Sequence, residues 1–549
     1  MRKTHLLFRS FMLVSILSLM LSFPALQAQG QDENWTPVGT GIDYQEFLVP
    51  GPNRVFVARM DRSNPNVTID TSIGQGKLSG GVETIRSQAA RYDEAINYWG
   101  EAPSNPYWGR RNKVVVAING SFQLKTVNIP DRGMVHSGWY AKRFSNNTGS
   151  GFVWKLDRTA FIGDCVTHIA KKQLVTFASG STQQITDINV PRGDDELILY
   201  TPQYDQNTLT DDSGVEVLVE MNRRDLIVNV DNASTGTVKE IYENQGSTPL
   251  PYDAIVLSAS GAAADTLLSN VQVGDMIGIS QEIRSLTPDC STGQPSLDWK
   301  NAYASLGGSF YFLRDGVIQP EDDPGASFRQ PRTAVAYNDA YVFFIVVDGR
   351  DPSFSVGMTT SELAAFTRDT LSARYGIEED GGGSSTMVVN GAIRNNTFCN
   401  NVFCSGKIFL PLVISRSSGE PLPSLENARK DDPNPNLPPG PDPNAPDQIA
   451  RAVVNGFMMV DVEPMTKSVT LAPGQIVAAL GKVNLRLGPG TNYFTLASVD
   501  QGSEGVVSDD INGLNGVLAK GSYWWKVQFG ALEGWLPEES LSPLSPPRK

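Results

Sequence analysis

Basic side chains, histidine, cysteine and long apolar runs are all scarce in this 549-residue sequence. Its 45 lysine and arginine residues stand against 59 acidic ones, which gives a net charge of −14. This balance argues against a nucleic-acid partner, because phosphate backbones are bound by basic faces, although it allows a local basic pocket. With only three histidines, a histidine-rich metal site or a Ser-His-Asp hydrolase is a poor hypothesis.

The four cysteines are Cys165, Cys290, Cys399 and Cys404, and no two of them form a Cys-x-x-Cys pair. A zinc ribbon is therefore not indicated. An even number of cysteines in an exported chain permits disulfides. Cys399 and Cys404 are close enough in sequence to close a small loop, and a bond between Cys165 and Cys290 follows only by elimination.

The N-terminus has the pattern of a secretory signal, with basic residues before an apolar stretch at 11–23. The small residues Ala28 and Gly30 offer cleavage sites, so we predict a signal peptide over residues 1–30, with an uncleaved anchor as the alternative. No later segment approaches the roughly 20 apolar residues that a spanning helix needs. The sequence therefore predicts a secreted, periplasmic or cell-envelope protein of a bacterium, with no integral membrane span after signal removal.

Short strand-like runs dominate residues 31–416, the predicted catalytic domain. Examples are KVVVAIN at 113–119, ELILYTP at 196–202, VEVLVEM at 215–221 and YVFFIVVD at 341–348. The last is almost entirely apolar, which is typical of a strand covered on both faces. Apolar residues recur at helical spacing at 82–96 and at 361–375. The fold class predicted for this domain is α+β, strand-rich with mixed sheets and flanking helices.

Composition changes after residue 416. Residues 417–450 are rich in proline and poor in large apolar side chains, so we interpret them as a semi-rigid linker. Residues 451–545 follow as a predicted small all-β barrel. Its segments VNLRLGPGTNY, WWKVQF and GWLPEESL resemble the bacterial Src-homology-3-like domain, a family that often binds cell-wall or other envelope polymers. Tyr493, Trp524 and Trp525 would form a ligand face there, or else belong to the barrel core.

Polar side chains follow the apolar strand in the segment DGRDPSFSVGMTTSELAAF at 348–366. Asp348 ends the strand, where catalytic groups often lie, and Arg350 adds a fixed cation. Glu362 is a candidate general acid. However, Thr359 lies three residues before it, which is also the spacing of a helix capping box.

The sequence EDGGGSSTMVVNG at 379–391 places an acid before three glycines and three hydroxyl residues. Glycines adopt positive φ freely, so successive N–H groups can turn into one concavity that binds an anion. Asp380 would lie at the rim of such a nest. The loop is not a Walker A motif, since no Gly-Lys-Ser/Thr follows, and it is not a GxSxG elbow. A plain flexible turn is the alternative.

Taken together, these stretches resemble the phosphodiester glycosidase family. The resemblance covers about residues 114–416 and follows the order of the family motifs. It rests on VVVAINGSF, INVPRGDDELILYTP, IVLSASGAAADTL, the run from Pro331 to Phe366, and DGGGSSTMVVNG. Two departures concern the site: the chain has Asn-Gly-Ser-Phe at 119–122 for Asn-Gly-Gly-Phe, and Glu-Glu-Asp at 378–380 for Asn-Leu-Asp. The second departure leaves the identity of the substrate open.

The resemblance implies hydrolysis of a sugar 1-phosphodiester, such as an α-linked N-acetylglucosamine 1-phosphodiester, to free sugar and phosphomonoester. Phosphate is a weakly basic leaving group, so the protein must mainly hold the anion, stabilise oxocarbenium-like charge and activate water. The candidate catalytic residues are Asp380, Asp348 and Glu362. The candidate substrate-binding residues are Asn119, Arg192, Arg332, Arg350, Gly382, Gly383, Ser384 and Ser385. Each arginine has a structural ion pair as its alternative.

A non-catalytic envelope glycan-binding protein, in which the glycine loop only binds anions, is the alternative function. No cofactor and no metal are predicted, although a Ca²⁺- or Mg²⁺-dependent hydrolase is a third, weaker hypothesis. The expected partners are a sugar phosphodiester or glycan substrate and, through the C-terminal barrel, a cell-wall or extracellular polymer.

Overall fold

The structure, a computed structural model, describes residues 35–93, 96–98, 109–124, 126–144, 149–155, 157–222, 229–287, 294–295, 297–299, 302–320, 325–352, 354–397, 450–464 and 467–544. The predicted signal peptide and nearly all of the Pro-rich segment lie outside these ranges, as do Cys290, Cys399 and Cys404. Cys165 takes part in a disulfide bond, and both pairings stay predictions. No helix in the described ranges combines the length and the apolar character that a membrane crossing requires.

The described residues contain three α-helices: α1 Ile85–Asp93, α2 Gly261–Leu268 and α3 Thr360–Asp369. The strands of the first half are β1 Thr36–Gly39, β2 Ile42–Val49, β3 Asn53–Asp61, β4 Val67–Ile73, β5 Glu83–Thr84, β6 Ile96–Tyr98, β7 Gly109–Asn119, β8 Gln123–Leu124, β9 Ile129–Pro130, β10 Met134–His136, β11 Trp139–Lys142, β12 Gly149–Lys155, β13 Ala160–His168, β14 Leu174–Thr176, β15 Thr182–Gln184, β16 Asp187–Ile188, β17 Leu197–Tyr200, β18 Val215–Met221, β19 Asn229–Glu243, β20 Ala254–Ala259 and β21 Met276–Gln281.

The remaining strands are β22 Ile283–Thr287, β23 Gln294–Pro295, β24 Ala302–Gly308, β25 Phe310–Arg314, β26 Val317–Ile318, β27 Arg332–Tyr337, β28 Tyr341–Val347, β29 Tyr375–Glu378, β30 Met387–Val389, β31 Ala392–Ile393, β32 Ala452–Val453, β33 Asn455–Pro464, β34 Ile476–Ala479, β35 Val483–Arg486, β36 Thr495–Val499, β37 Glu504–Val507, β38 Val517–Ala519, β39 Ser522–Phe529, β40 Leu532–Pro537 and β41 Leu541–Pro543.

Five large sheets carry the architecture. Sheet A has the order β1-β2-β3-β28-β27-β29-β25-β26, and sheet B has the order β31-β30-β7-β33-β4 with β6 beside β7. Sheet C is β11-β10-β24-β12-β13-β22-β23, and sheet D is β15-β14-β21-β19-β18-β20-β17-β16. Sheet E, formed by the C-terminal module at residues 467–544, is β36-β35-β40-β39-β37-β34-β41 with β38 beside β39.

Sheets A, B and C share one apolar core. The rings of Phe152 in β12 and Phe457 in β33 lie 5.5 Å apart, and Phe457 lies 6.1 Å from Phe344 in β28. One aromatic contact series therefore joins three sheets. β28 is buried along nearly its whole length, as its continuous apolar sequence predicts.

The predicted α+β class with flanking helices is wrong. Both predicted helices form, but they are short: α1 and α3 have 9 and 10 residues. The described chain is otherwise strand-rich, because its apolar runs are short and β-branched and its sheet faces are covered mainly by other sheets. Two helices of this length among so many described strands do not amount to an α+β domain with flanking helices.

Strand β33 follows the Pro-rich segment and returns to sheet B, where it lies between β7 and β4. Gly456 is opposite Asn119 of β7 and opposite Ser72 of β4. The predicted domain boundaries stay a prediction, but the pairing shows that chain segments on both sides of residues 417–449 build one sheet.

The C-terminal module contains the strands predicted at its GPG turn and its tryptophan-rich segment, namely β35, β36, β39 and β40. Trp524 and Trp525 are buried, with their indole N–H groups donating to Ala519 O and Glu538 Oε2. Both tryptophans therefore belong to the core of the module, whereas Tyr493 remains partly exposed.

Candidate functional site

Two strand ends meet at the glycine loop, residues 379–386. β29 ends at Glu378 and β7 ends at Asn119. The N–H of Asp380 donates to the carbonyl oxygen of Gly120 over 2.9 Å. This hydrogen bond joins sheet A to sheet B directly beneath the loop.

Asn119 organises the loop from below. Its Nδ2 donates to the carbonyl oxygen of Asp380 over 2.6 Å, and its Oδ1 accepts from Thr333 Oγ1 at 2.8 Å and from the N–H of Thr386 at 3.1 Å. Asn119 is buried. The structure therefore gives this residue a positioning role, and its predicted substrate contact stays a prediction.

The family departure at Ser121 has a local partner. The N–H of Ser121 donates to Asn455 Oδ1 over 2.9 Å, and Asn455 Nδ2 donates to Ser121 Oγ over 2.9 Å. The serine thus ties the end of β7 to the start of β33, beside the loop.

The glycines allow a tight turn, but they do not form the predicted nest. Gly382 has a φ of 67°, which glycine adopts without strain. Its N–H donates to Pro331 O at 2.8 Å, and the N–H of the buried Ser385 donates to Gly382 O at 3.2 Å. The N–H of Ser384 donates to the carbonyl oxygen of Gly381 at 3.4 Å, and Gly383 is buried in the same turn. At least three of the loop N–H groups therefore bind carbonyls within the protein.

Asp380 is the accessible acid of the loop. It is half-buried, and its Oδ2 accepts a hydrogen bond from Ser384 Oγ over 2.5 Å. Ser384 Oγ in turn accepts from Nη1 of Arg451 at 3.3 Å. A carboxylate, a hydroxyl and a guanidinium therefore form one chain of contacts.

A second guanidinium lies against the same loop. A Cβ on Gly382 would lie 2.9 Å from Nη2 of Arg350, so the arginine closely approaches the glycine. Arg350 has a φ of 65°, a backbone conformation that is strained for residues other than glycine. Its Nε donates a hydrogen bond to Gln330 Oε1 at 2.8 Å. Burial and the positive charge of Arg451 lower the pKa of Arg350. Two guanidinium groups at one loop favour the binding of an anion beside them.

Asp348 lies beneath the site and is only 2% exposed. Asn395 Nδ2 donates to Asp348 Oδ1 and to the carbonyl oxygen of Ser385, both at 3.0 Å, and the N–H of Asn396 donates to Oδ2 at 2.9 Å. Burial raises the pKa of Asp348 to about 7, although these hydrogen bonds oppose the shift. Asp348 is thus linked to the glycine loop through Asn395.

Glu379 is fully buried and points away from Glu378, since side chains alternate along a strand. Neither of its carboxyl oxygens has a hydrogen-bond partner among the described residues. Burial, and next the charges of Asp380 and Glu378, raise its pKa well above the usual range. Burial therefore disfavours the ionised form of this carboxyl.

Two of the predicted arginines form structural networks. Arg332 Nη1 pairs with Glu378 Oε1 at 2.6 Å, and its other nitrogens donate to backbone carbonyls of the surrounding loops. Arg192 donates to Ser258 Oγ at 2.9 Å and to Asp211 Oδ1 at 2.8 Å. The structural alternative therefore holds for both residues.

Glu362 forms the helix cap that its spacing allows. Its N–H donates to Thr359 Oγ1 at 3.1 Å, and its Oε2 accepts from the N–H of Thr359 at 3.0 Å. Its other carboxylate oxygen accepts a hydrogen bond from Arg329. The structure therefore gives Glu362 a capping role, and its catalytic role stays a prediction.

Arg451 and Asn395 were missed by sequence reasoning. Arg451 lies 67 positions after Ser384, its contact in the site, and Asn395 follows the short strand β31. No local pattern distinguishes either residue from an ordinary loop residue. Their role depends on pairing between distant segments. Within the described ranges, no group of three or more His, Cys, Asp or Glu side chains is arranged to hold a metal ion.

The comparison with protein families assigns this region. Residues 222–405 match the family model for phosphodiester glycosidases, which confirms the resemblance seen in the motifs for this part of the chain. The match ends before the C-terminal module, whose Src-homology-3-like identity stays a prediction. None of the curated proteins matches the chain.

Three solved structures show distant similarity. A hypothetical protein from Synechocystis is 14% identical over 77% of this chain and 62% of that chain, with a TM-score of 0.45. A protein from Burkholderia pseudomallei is 17% identical over 74% of both chains, with a TM-score of 0.43. The catalytic domain of zebrafish N-acetylglucosamine-1-phosphodiester alpha-N-acetylglucosaminidase is 12% identical over 67% of this chain and 79% of that chain, with a TM-score of 0.29.

Proposed function

We propose that this protein is an exported hydrolase that cleaves the glycosidic bond of a sugar 1-phosphodiester. The observation that carries the proposal is the juxtaposition of the Asp380 carboxylate with the guanidinium groups of Arg350 and Arg451 on one loop. The family match of residues 222–405 supports the reaction class. Export is inferred from the N-terminal sequence pattern.

In this proposal, Arg350 and Arg451 hold the phosphodiester anion, since guanidinium groups suit paired phosphate oxygens. The bond between the anomeric carbon and the phosphate oxygen breaks with its electron pair going to that oxygen. Asp380 stabilises the oxocarbenium-like sugar or takes a proton from the attacking water. Asp348 and Asn395 keep the loop in place. The products are a free sugar and a phosphomonoester.

Asp380→Asn tests the reaction and the site together. The wild-type protein is expected to release reducing sugar from an N-acetylglucosamine α-1-phosphodiester, and the variant is expected to lose at least about 100-fold in kcat, because a catalytic carboxylate is removed. The measurement is a reducing-sugar assay on both proteins, with circular dichroism to confirm folding. If folded wild-type protein releases no sugar from a panel of sugar 1-phosphodiesters, the glycan-binding alternative replaces this proposal.

Arg451→Gln tests the cation that sequence reasoning missed. Removing a charged contact to phosphate is expected to lower kcat/KM by about 10- to 100-fold, or about 1.5–3 kcal/mol. Arg374→Gln is the matched control, because Arg374 is exposed and pairs with Asp315 on the surface. Equal activity of the two variants would remove Arg451 from the proposed site.

A further inference from the structure

A second recess lies where the C-terminal module meets the other sheets. A cavity of about 120 Å³ is lined by His136 and Tyr252 on one side and by Asn492 and Tyr493 of the module on the other. It adjoins a wider groove of about 540 Å³, because residues 492–494 and Arg91 line both. We call the two together the module groove. Its wider part has the size of a small-ligand site.

The wider part of the module groove is basic, although the protein as a whole is acidic. Arg91, Arg486 and Lys520 line it together with a single acid, Glu83. Glu83 is paired with Arg91 at 3.0 Å. Arg486 donates to the carbonyl oxygen of Tyr493 at 2.8 Å, and no carboxylate pairs with it among the ion pairs of the described residues. The positive charge of Arg486 therefore remains for an acidic ligand.

The inner part of the module groove combines aromatic rings with polar groups. The rings of Tyr493 and Tyr252 meet edge to face with centroids 5.0 Å apart. Asn492, Gln203 and Asp205 line the same cavity. Amide and carboxylate side chains of this kind suit a ligand that carries hydroxyl groups.

We propose that the module groove binds an acidic saccharide, with a sugar ring beside Tyr493, its hydroxyl groups toward Asn492 and Gln203, and its acid group on Arg486. Aromatic rings with convergent polar groups suit a ring that carries many hydroxyls, and a guanidinium suits a carboxylate or phosphate. A nucleotide is the alternative ligand, because it also combines a ring with an anionic group. The acid Asp205 in the cavity wall favours hydroxyl groups over phosphate at the inner end.

The module groove lies near the glycine loop but is separate from it. Val453 of β32 pairs with Glu83 of β5, and Arg451 lies two residues before Val453. One thin β-ribbon therefore separates Arg451 from the wall of the groove, a span of roughly 10 Å by strand geometry. Binding in the groove does not depend on the proposed hydrolysis.

The test is calorimetric binding of trigalacturonic acid, which contains no phosphodiester, to the full chain. Maltotriose is the neutral saccharide of similar size, inorganic phosphate is the anion without a ring, and adenosine monophosphate is the nucleotide. Trigalacturonic acid is expected to bind at least about tenfold more tightly than the other three, because it alone supplies both the hydroxylated ring and the carboxylate.

Arg486→Gln and Lys520→Gln are each expected to weaken that binding, the first by at least about tenfold because it removes the cation without a carboxylate. Arg486→Gln also removes a hydrogen bond to the loop at 491–493, so Lys520→Gln tests the charge of the groove without that change. The surface control Arg374→Gln should bind trigalacturonic acid as the wild type does. No saturable binding, equal binding of maltotriose, or unchanged affinity in both groove variants would overturn the proposal. Tighter binding of adenosine monophosphate would replace the saccharide by a nucleotide.

Discussion

Three adjacent acids at the glycine loop have three different environments. Glu378 is neutralised by Arg332, Glu379 is buried without a hydrogen-bond partner among the described residues, and Asp380 is half-buried beside Ser384. Alternation along the strand end separates the first two onto opposite faces. Of the three carboxyls, Asp380 is therefore the one placed to meet a substrate.

Glu379→Leu is expected to raise the free energy of unfolding at neutral pH by about 1–3 kcal/mol, because it removes a buried carboxyl that lacks a partner. The folded state raises the pKa of Glu379. Its contribution to stability is therefore complete below the ordinary glutamate pKa and is lost as pH rises through the folded pKa. Urea denaturation should show a larger gain at neutral pH than near about pH 4.3.

Glu379→Gln is the control for this prediction, since it keeps the side-chain size and removes the titration. It should flatten the pH dependence of stability without the full gain of leucine. A gain for Glu379→Leu that is the same at both pH values would contradict a raised pKa of Glu379 in the folded state.

Among the secondary-structure elements, helix α3 shows how one sequence pattern is consistent with two roles, a helix cap and a general acid. The capping box at Thr359 and Glu362 satisfies backbone N–H groups that would otherwise lack acceptors. The cap also places the helix start beside Glu378, because Thr360 Oγ1 donates to Glu378 Oε2 at 2.9 Å. The element therefore supports the end of β29, from which the glycine loop continues.

Glu362→Gln distinguishes capping from catalysis. Glutamine retains the capping geometry and removes the acid, so we expect activity within about twofold of the wild type and little change in stability. Thr359→Ala is expected to cost about 1 kcal/mol through loss of the cap. Thermal unfolding and the sugar-release assay measure both variants, and a large loss of activity in Glu362→Gln would restore its catalytic role.

At the scale of the whole molecule, a buried cation joins sheets D and E. Lys526 of β39 donates to Glu220 Oε1 at 2.7 Å and to Asp253 Oδ2 at 2.8 Å. Burial opposes its charge, but Asp253 and Glu220 raise the pKa of Lys526 well above its usual range. The position of the C-terminal module, and with it the module groove, rests partly on this network.

Lys526→Met is expected to lower the free energy of unfolding by about 3–5 kcal/mol, because it removes the buried cation beside Asp253 and leaves Glu220 paired with Lys239 alone. Calorimetric unfolding of this variant is compared with Lys482→Met, which replaces an exposed lysine of the same module. A similar melting temperature for the two variants would contradict a structural role for the network.

Features that depend on residues close together in the chain follow from the sequence alone, namely strands, a helix cap and the order of motifs. Short β-branched runs predicted β7, β18 and β28, the spacing of Thr359 and Glu362 predicted the cap, and the order of the motifs predicted the family region and its glycine loop. Each of these rests on side-chain alternation, local hydrogen bonding or turn conformation. The predicted α+β class is wrong, because three short helices among so many described strands do not make such a domain.

Which side chains from distant segments contact one another depends on the tertiary structure. It brought Arg451 to Ser384 and Asn395 to Asp348, buried Arg192 in a separate network, and used the loop N–H groups within the protein. These contacts are made across strand pairings between distant segments, such as β33 with β7. Such pairing follows from burial of the whole core, and residues near one another in sequence do not encode it.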